Sequence, residues 1–258
     1  MINLNNYTLL ALYATIFTWL ITVLGSSMVF FFKKINKTIM DTSLGIAAGI
    51  MLSASFWSLL NPAIENARSL NQIPWLIVSI GFMFGGIFIF ITDKYFQKKI
   101  KNISMKEKSV FLMILSITMH NIPEGLAVGI AFGSLKYQHL NTSLTNAFML
   151  ALAIGLQNFP EGSAISLPLR RENYTRLKSF IYGSLSAIVE PIFGVVGALL
   201  TIKIQYLMPI FLSFAAGAMI YVIIQELIPE SQTNSNKSLM AIFTLIGFTI
   251  MMILDTAI

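Results

Sequence analysis

The sequence predicts an all-α membrane protein with eight transmembrane helices, in which inverted repeats (spans 1–3 and 6–8) surround central spans 4 and 5. Three observations predict it. First, the 258 residues are 56% hydrophobic and 11% charged, with a mean hydropathy of +0.76 that water-soluble domains rarely approach. At about 20 apolar residues per span, eight spans with short loops use the whole chain. Second, basic residues alternate between successive connections. Third, short motifs return along the chain.

The spans follow from cuts at clusters of charge, Asn and Pro. Span 1 (7–32) is an apolar run with no Lys or Arg before Lys33, too long for the core of a signal peptide and so expected to remain in the membrane. Span 2 (41–65) lies between Lys37 and Arg68, and span 3 (74–96) runs from Pro74 to the Asp93-Lys94 boundary. Span 4 (108–134) follows the basic stretch from Lys94 to Lys108, and span 5 (143–168) stops before Arg170-Arg171. Span 6 (177–203) closes at Lys203, span 7 (207–229) at Pro229, and span 8 (237–257) opens at Lys237. Fourteen of the 17 Lys and Arg fall in one set of alternate connections and three in the other, which places both termini outside the cytoplasm. The net charge of +6 thus reads as topology, with membrane lipid and no nucleic acid as partner. With no cysteine, disulfides, thiolate ligands and cysteine nucleophiles are excluded.

His120-Asn121-Ile122-Pro123-Glu124-Gly125 in span 4 returns 37 residues later as Gln157-Asn158-Phe159-Pro160-Glu161-Gly162 in span 5. A weaker echo links Ala47-Ala48-Gly49-Ile50-Met51 in span 2 to Ala215-Ala216-Gly217-Ala218-Met219 in span 7, although close helix packing also selects such small residues. The members of each pair cross the membrane in opposite directions, the arrangement of secondary transporters rather than of receptors.

Charged groups inside hydrocarbon cost about 2.5–3.5 kcal/mol each on insertion scales, so several together point to function. Glu124, Glu161 and Glu190 fall near the middle of spans 4, 5 and 6, and Glu226 in the cytoplasmic third of span 7, with no Lys or Arg at similar depth. Such carboxylates must bind protons or cations. Glu226 also fits a helix end reaching the interface, and Glu65 and Asp93 at span ends are interfacial unless they line an entrance or exit. His139 reads as an outer-loop residue.

His120 and Glu124 are four apart, as are Gln157 and Glu161, so each pair projects from one helix face. Pro123 and Pro160 free the carbonyls of Met119 and Leu156, and Gly125 and Gly162 admit a neighbouring helix at the kink. Carboxylate, imidazole and amide ligands without thiolate suit Zn²⁺, Fe²⁺, Mn²⁺, Co²⁺ and Cd²⁺. The ligands make no closed Cys/His cage, as release of a transported ion requires.

These residues, with Glu190-Pro191 and the eight-span layout, resemble the ZIP (Zrt/Irt-like) family of divalent metal transporters. Leu59-Leu60-Asn61-Pro62-Ala63-Ile64-Glu65 and Gln157 look most like its GufA-type branch. The resemblance implies a binuclear site: a first metal held by His120, Glu124, Gln157 and Glu161, and a second by Asn121, Asn158, Glu190 and the same two glutamates as bridges. It also implies a span 7 ligand matching Glu226, an elevator motion of spans 1, 4, 5 and 6 against spans 2, 3, 7 and 8, and a homodimer. The chain departs from the family in Gln157, where many members have His, in Asn158, where the branch often has an acid, and in a cytoplasmic loop without histidine.

The expected function is a secondary carrier that brings divalent metal, Zn²⁺ first with Cd²⁺, Fe²⁺ and Mn²⁺ as further candidates, into the cytoplasm, with no resident cofactor and no enzymatic activity. A proton- or sodium-coupled antiporter using the same glutamates is the alternative. An intramembrane metalloprotease lacks its His-Glu-x-x-His, and a non-transporting sensor fits the repeats poorly. Compactness, the absence of a targeting segment and Asn/Ile/Lys-rich composition point to a bacterial inner membrane.

Overall fold

The computed structural model describes residues 4–31, 37–99, 105–137, 143–233 and 235–257; His139 lies outside them, and so does the side chain of His120. All regular structure among the described residues is helical. Helix α1 (Leu4–Ser26) leads into the short α2 (Met28–Phe31), and α3 (Lys37–Ala54) continues through a π-helical segment, Ser55–Leu60, into α4 (Asn61–Ser69). Then come α5 (Pro74–Lys99), α6 (Met105–Ser134), α7 (Leu144–Arg171), α8 (Arg176–Leu185) and α9 (Val189–Lys203). Helix α10 (Met208–Val222) passes through a second π segment, Ile223–Leu227, into α11 (Ile228–Ser231), and α12 (Lys237–Ala257) ends the chain.

Among the described residues, six helical stretches are long and apolar enough to cross a membrane: Asn6–Phe31, Lys37–Ser69, Pro74–Tyr95, Arg176–Ile202, Met208–Ser231 and Lys237–Thr256. Their outward faces carry large apolar side chains such as Trp75, 72% exposed, a pattern stable only against lipid. Helices α6 and α7 have 30 and 28 residues and carry the repeated polar motif. At about 1.5 Å rise per residue, each exceeds the hydrocarbon thickness of about 30 Å.

Proline sets the irregular points. Pro62 and Pro229 each follow a π segment by two residues. A proline donates no hydrogen bond, and its ring presses on the carbonyl four residues earlier, here Ser58 and Gln225. The wider turn relieves this: the Asn61 N–H reaches back five residues to the Phe56 carbonyl, and the Ile228 N–H to that of Ile223. Both segments start four residues after the methionine of an Ala-Ala-Gly-x-Met stretch, at Ser55 after Met51 and at Ile223 after Met219. The weaker echo therefore extends to a shared backbone irregularity. Pro191 marks a third point, where a turn at residues 186–188 separates α8 from α9 and the Glu190 N–H bonds to the Ala187 carbonyl at 3.0 Å.

Helices pack into two groups. In one, α1 lies against α7 and α9, α6 against α9, and α7 against α8; in the other, α3 lies against α12, α5 against α10, and α4 against α10. The groups meet where α3 touches α7 and α10 touches α6. Close approach within a group depends on glycine. A Cβ on Gly129 of α6 would collide with the backbone of Gly194 in α9, so those helices touch backbone to backbone.

Candidate metal centre

Helices α6, α7 and α9 bring most of the expected ligands to one buried locus. Asn121, Glu124, Gln157, Asn158 and Glu190 are fully buried and Glu161 is 3% exposed. Asn121 and Glu124 are separated by three residue positions on α6, as are Asn158 and Glu161 on α7, with Gln157 one turn before Glu161, so each helix presents its polar groups on one face. Glu190 lies in the first turn of α9, beside the break that Pro191 imposes. Gly125 permits this meeting, because a Cβ there would stand 2.5 Å from the Glu190 carbonyl oxygen.

The hydrogen bonds divide the locus in two. On one side, Gln157 Nε2 donates to Glu124 Oε1 at 2.5 Å, joining α7 to α6. On the other, Asn158 Nδ2 donates to Glu190 Oε1 at 2.9 Å and to the Thr18 carbonyl at 3.2 Å, and the Thr18 hydroxyl donates to Glu190 Oε2. Asn121 Nδ2 donates to the carbonyls of Ile117 and Ser186, tying α6 to the turn before α9.

Every amide thus turns its nitrogen to an acceptor and leaves its oxygen over. Asn121 Oδ1, Gln157 Oε1, Asn158 Oδ1, Glu124 Oε2 and both carboxylate oxygens of Glu161 are buried without a hydrogen-bond partner among the described residues. Buried oxygens lacking donors are unfavourable by about 1–3 kcal/mol each, and a hard or borderline cation satisfies several together. No three His, Cys, Asp or Glu side chains among the described residues are gathered closely enough to hold a metal by themselves. The carboxylates here are interleaved with amides.

Glu226 is half-buried in the second π segment. Asp93 is half-buried near the end of α5. Glu65 is half-buried on α4. His120 belongs to α6, four residues before Glu124.

Two polar features escaped sequence reasoning. Thr18 belongs to a stripe on α1, Thr15, Thr18, Thr22 and Ser26, spaced three or four apart and fully or almost fully buried. That helical spacing was the available signal. Ser58 Oγ donates to Asp255 Oδ1 at 2.8 Å, linking the first π segment to the end of α12 beside a cavity of about 60 Å³. Residues 197 positions apart gave no local pattern to read.

Comparison with known families places the chain as a whole. The model of the family described as ZIP Zinc transporter matches residues 8–110 and 97–255. The chain belongs to the ZIP family. Among ZIP relatives, it is 35% identical to zinc transporter ZIP11 of Bos taurus, over 95% of this chain and 96% of that protein. It is 30% identical to zinc transporter GufA of Myxococcus xanthus, over 91% and 93% of the two chains, and 30% identical to zinc transporter ZIPB of Bordetella bronchiseptica, over 92% and 77%. ZIP proteins are multi-pass membrane transporters and not enzymes, which accords with the six apolar helices.

Proposed function

We propose that this chain is a secondary carrier of divalent transition-metal ions, zinc first and Cd²⁺, Fe²⁺ and Mn²⁺ with it, moving them into the cytoplasm. One observation carries the reading. Two helices with the same Pro-Glu-Gly motif present a buried set of carboxylate and amide oxygens that have no donors among the described residues.

Glu124 and Glu161, with Gln157 and His120, hold the transported ion; Asn121, Asn158 and Glu190 stand beside it, at the second position that the resemblance implies. Gln157 changes partners on loading, giving up its hydrogen bond to Glu124 and turning Oε1 to the metal. Glu226 receives the ion from Glu161 on the way out. With the interior negative, a divalent ion gains about 4.6 kcal/mol per 100 mV, twice the single-charge value, so influx needs no ATP.

Eight spans, with both termini on one side, follow if α6 and α7 cross the membrane with the six apolar stretches, and their lengths support this; the loop charges put that side outside the cytoplasm. The shared Ala-Ala-Gly-x-Met and π-segment order in α3 and α10 supports the inverted repeat. The two packing groups support an elevator motion, in which α1, α6, α7, α8 and α9 slide against the rest. Both groups contribute to one apolar cluster, Ala48, Ala215 and Met219 from one and Ala127, Leu150 and Ile154 from the other. A homodimer belongs to the same reading.

Radioactive zinc accumulation by cells expressing the chain tests it. Saturable uptake above the vector control, lost in Glu161→Ala at equal expression, supports the carrier; uptake equal in the two forms refutes it.

A further inference from the structure

Glu190 differs from the other two buried glutamates. Its Oε2 accepts from the Thr18 hydroxyl and its Oε1 from Asn158 Nδ2, so both oxygens are occupied. Glu124 has one oxygen without a partner among the described residues, and Glu161 has two. Glu190 also lies in the first turn of α9, where a helix N-terminus favours a negative side chain. It is therefore stabilised in place without a metal, whereas Glu161 is not.

The source of that stabilisation is α1. Thr18 meets Asn158 twice, through its carbonyl directly and through Glu190 by its hydroxyl, closing a triangle of α1, α7 and α9. The α1–α9 seam is firm around it. One turn earlier on α1, Thr15 fills the space beside Gly194, whose Cβ would stand 2.7 Å from Thr15 Oγ1. The Thr18 hydroxyl has one proton and a second acceptor in reach, the Thr15 carbonyl at 3.0 Å, so it can release Glu190 without becoming an unpaired donor.

We propose that Thr18 is the positioning residue that sets metal stoichiometry: by holding Glu190 on Asn158, it keeps both out of the metal shell and limits the chain to one divalent ion on Glu124, Gln157 and Glu161. This rests on the carrier reading. Charge balance favours it, since two carboxylates neutralise one divalent cation and leave no need for the third. A second ion must first displace two hydrogen bonds to Glu190 and turn the Asn158 amide over.

Bound Cd²⁺ counted by mass spectrometry after equilibrium dialysis of the purified full-length protein tests the proposal, with ¹¹³Cd NMR to count environments. The wild type should bind one Cd²⁺ per chain and show one resonance. Thr18→Val, which keeps the shape and removes the hydroxyl, should bind two, with a second resonance that disappears in Thr18→Val/Glu190→Gln. Thr18→Ser should return to one. Two ions in the wild type, or one in a folded Thr18→Val protein, would overturn the role of Thr18. Should Thr18→Val not fold, Thr18→Ala makes the same comparison, and one ion on folded Thr18→Ala overturns the role equally. No Cd²⁺ on the wild type, or binding unchanged by Glu161→Gln, would instead overturn the carrier reading on which it rests.

Discussion

Gln157 on α7 donates a 2.5 Å hydrogen bond to Glu124 on α6, and this contact joins the two copies of the repeated motif. A neutral amide thus holds one carboxylate in place while its own oxygen faces no donor among the described residues. Gln157→Leu removes both the orienting bond and a ligand oxygen. Apparent zinc affinity should fall by about ten- to a hundredfold, the usual effect of losing an orienting partner at a metal site, read as a rise in the KM of zinc uptake.

Glu161→Gln separates function from stability. Both Glu161 oxygens are buried without hydrogen-bond partners among the described residues, so the metal-free protein gains by replacing the carboxylate with an uncharged amide. Differential scanning fluorimetry should show an unchanged or raised Tm for the metal-free variant. Added Cd²⁺ should raise the Tm of the wild type and leave that of the variant unchanged.

Proton competition follows from the donor set. Glu124 and Glu161 bind metal only as carboxylates, so a proton on either must leave first. More protons mean fewer free ligands, and zinc KM should therefore rise as external pH falls. A KM independent of pH across the acidic range would contradict carboxylate ligation.

Gly129→Leu tests the helix contact that holds Glu190 against Gly125. A side chain at 129 collides with the Gly194 backbone, and overpacking of this kind costs about 1–3 kcal/mol or more. The variant should unfold at lower temperature. Gly86→Leu serves as control, because a Cβ at 86 meets nothing closer than 3.5 Å and should leave Tm nearly unchanged.

The helices and most of the buried polar cluster were legible because the signals are local. Apolar runs end at charge and proline, and spacings of four place His120 with Glu124 and Gln157 with Glu161 on single faces. The break before Glu190 was less visible: Pro191 announces it, yet residues 177–203 read as one apolar stretch. The π segments were not legible, since the proline alone does not say whether a helix kinks, stops or widens by one residue. Contacts such as Thr18 with Glu190, 172 positions apart, depend on which helices become neighbours, and no single-helix pattern carries that information.

Zinc flux in proteoliposomes under an imposed inside-negative potential, with internal pH recorded, tests the central claim most directly. Saturable zinc influx that scales with the potential and vanishes in Glu161→Gln is the predicted result. Proton or sodium flux that depends on Glu161 without any movement of zinc would contradict it.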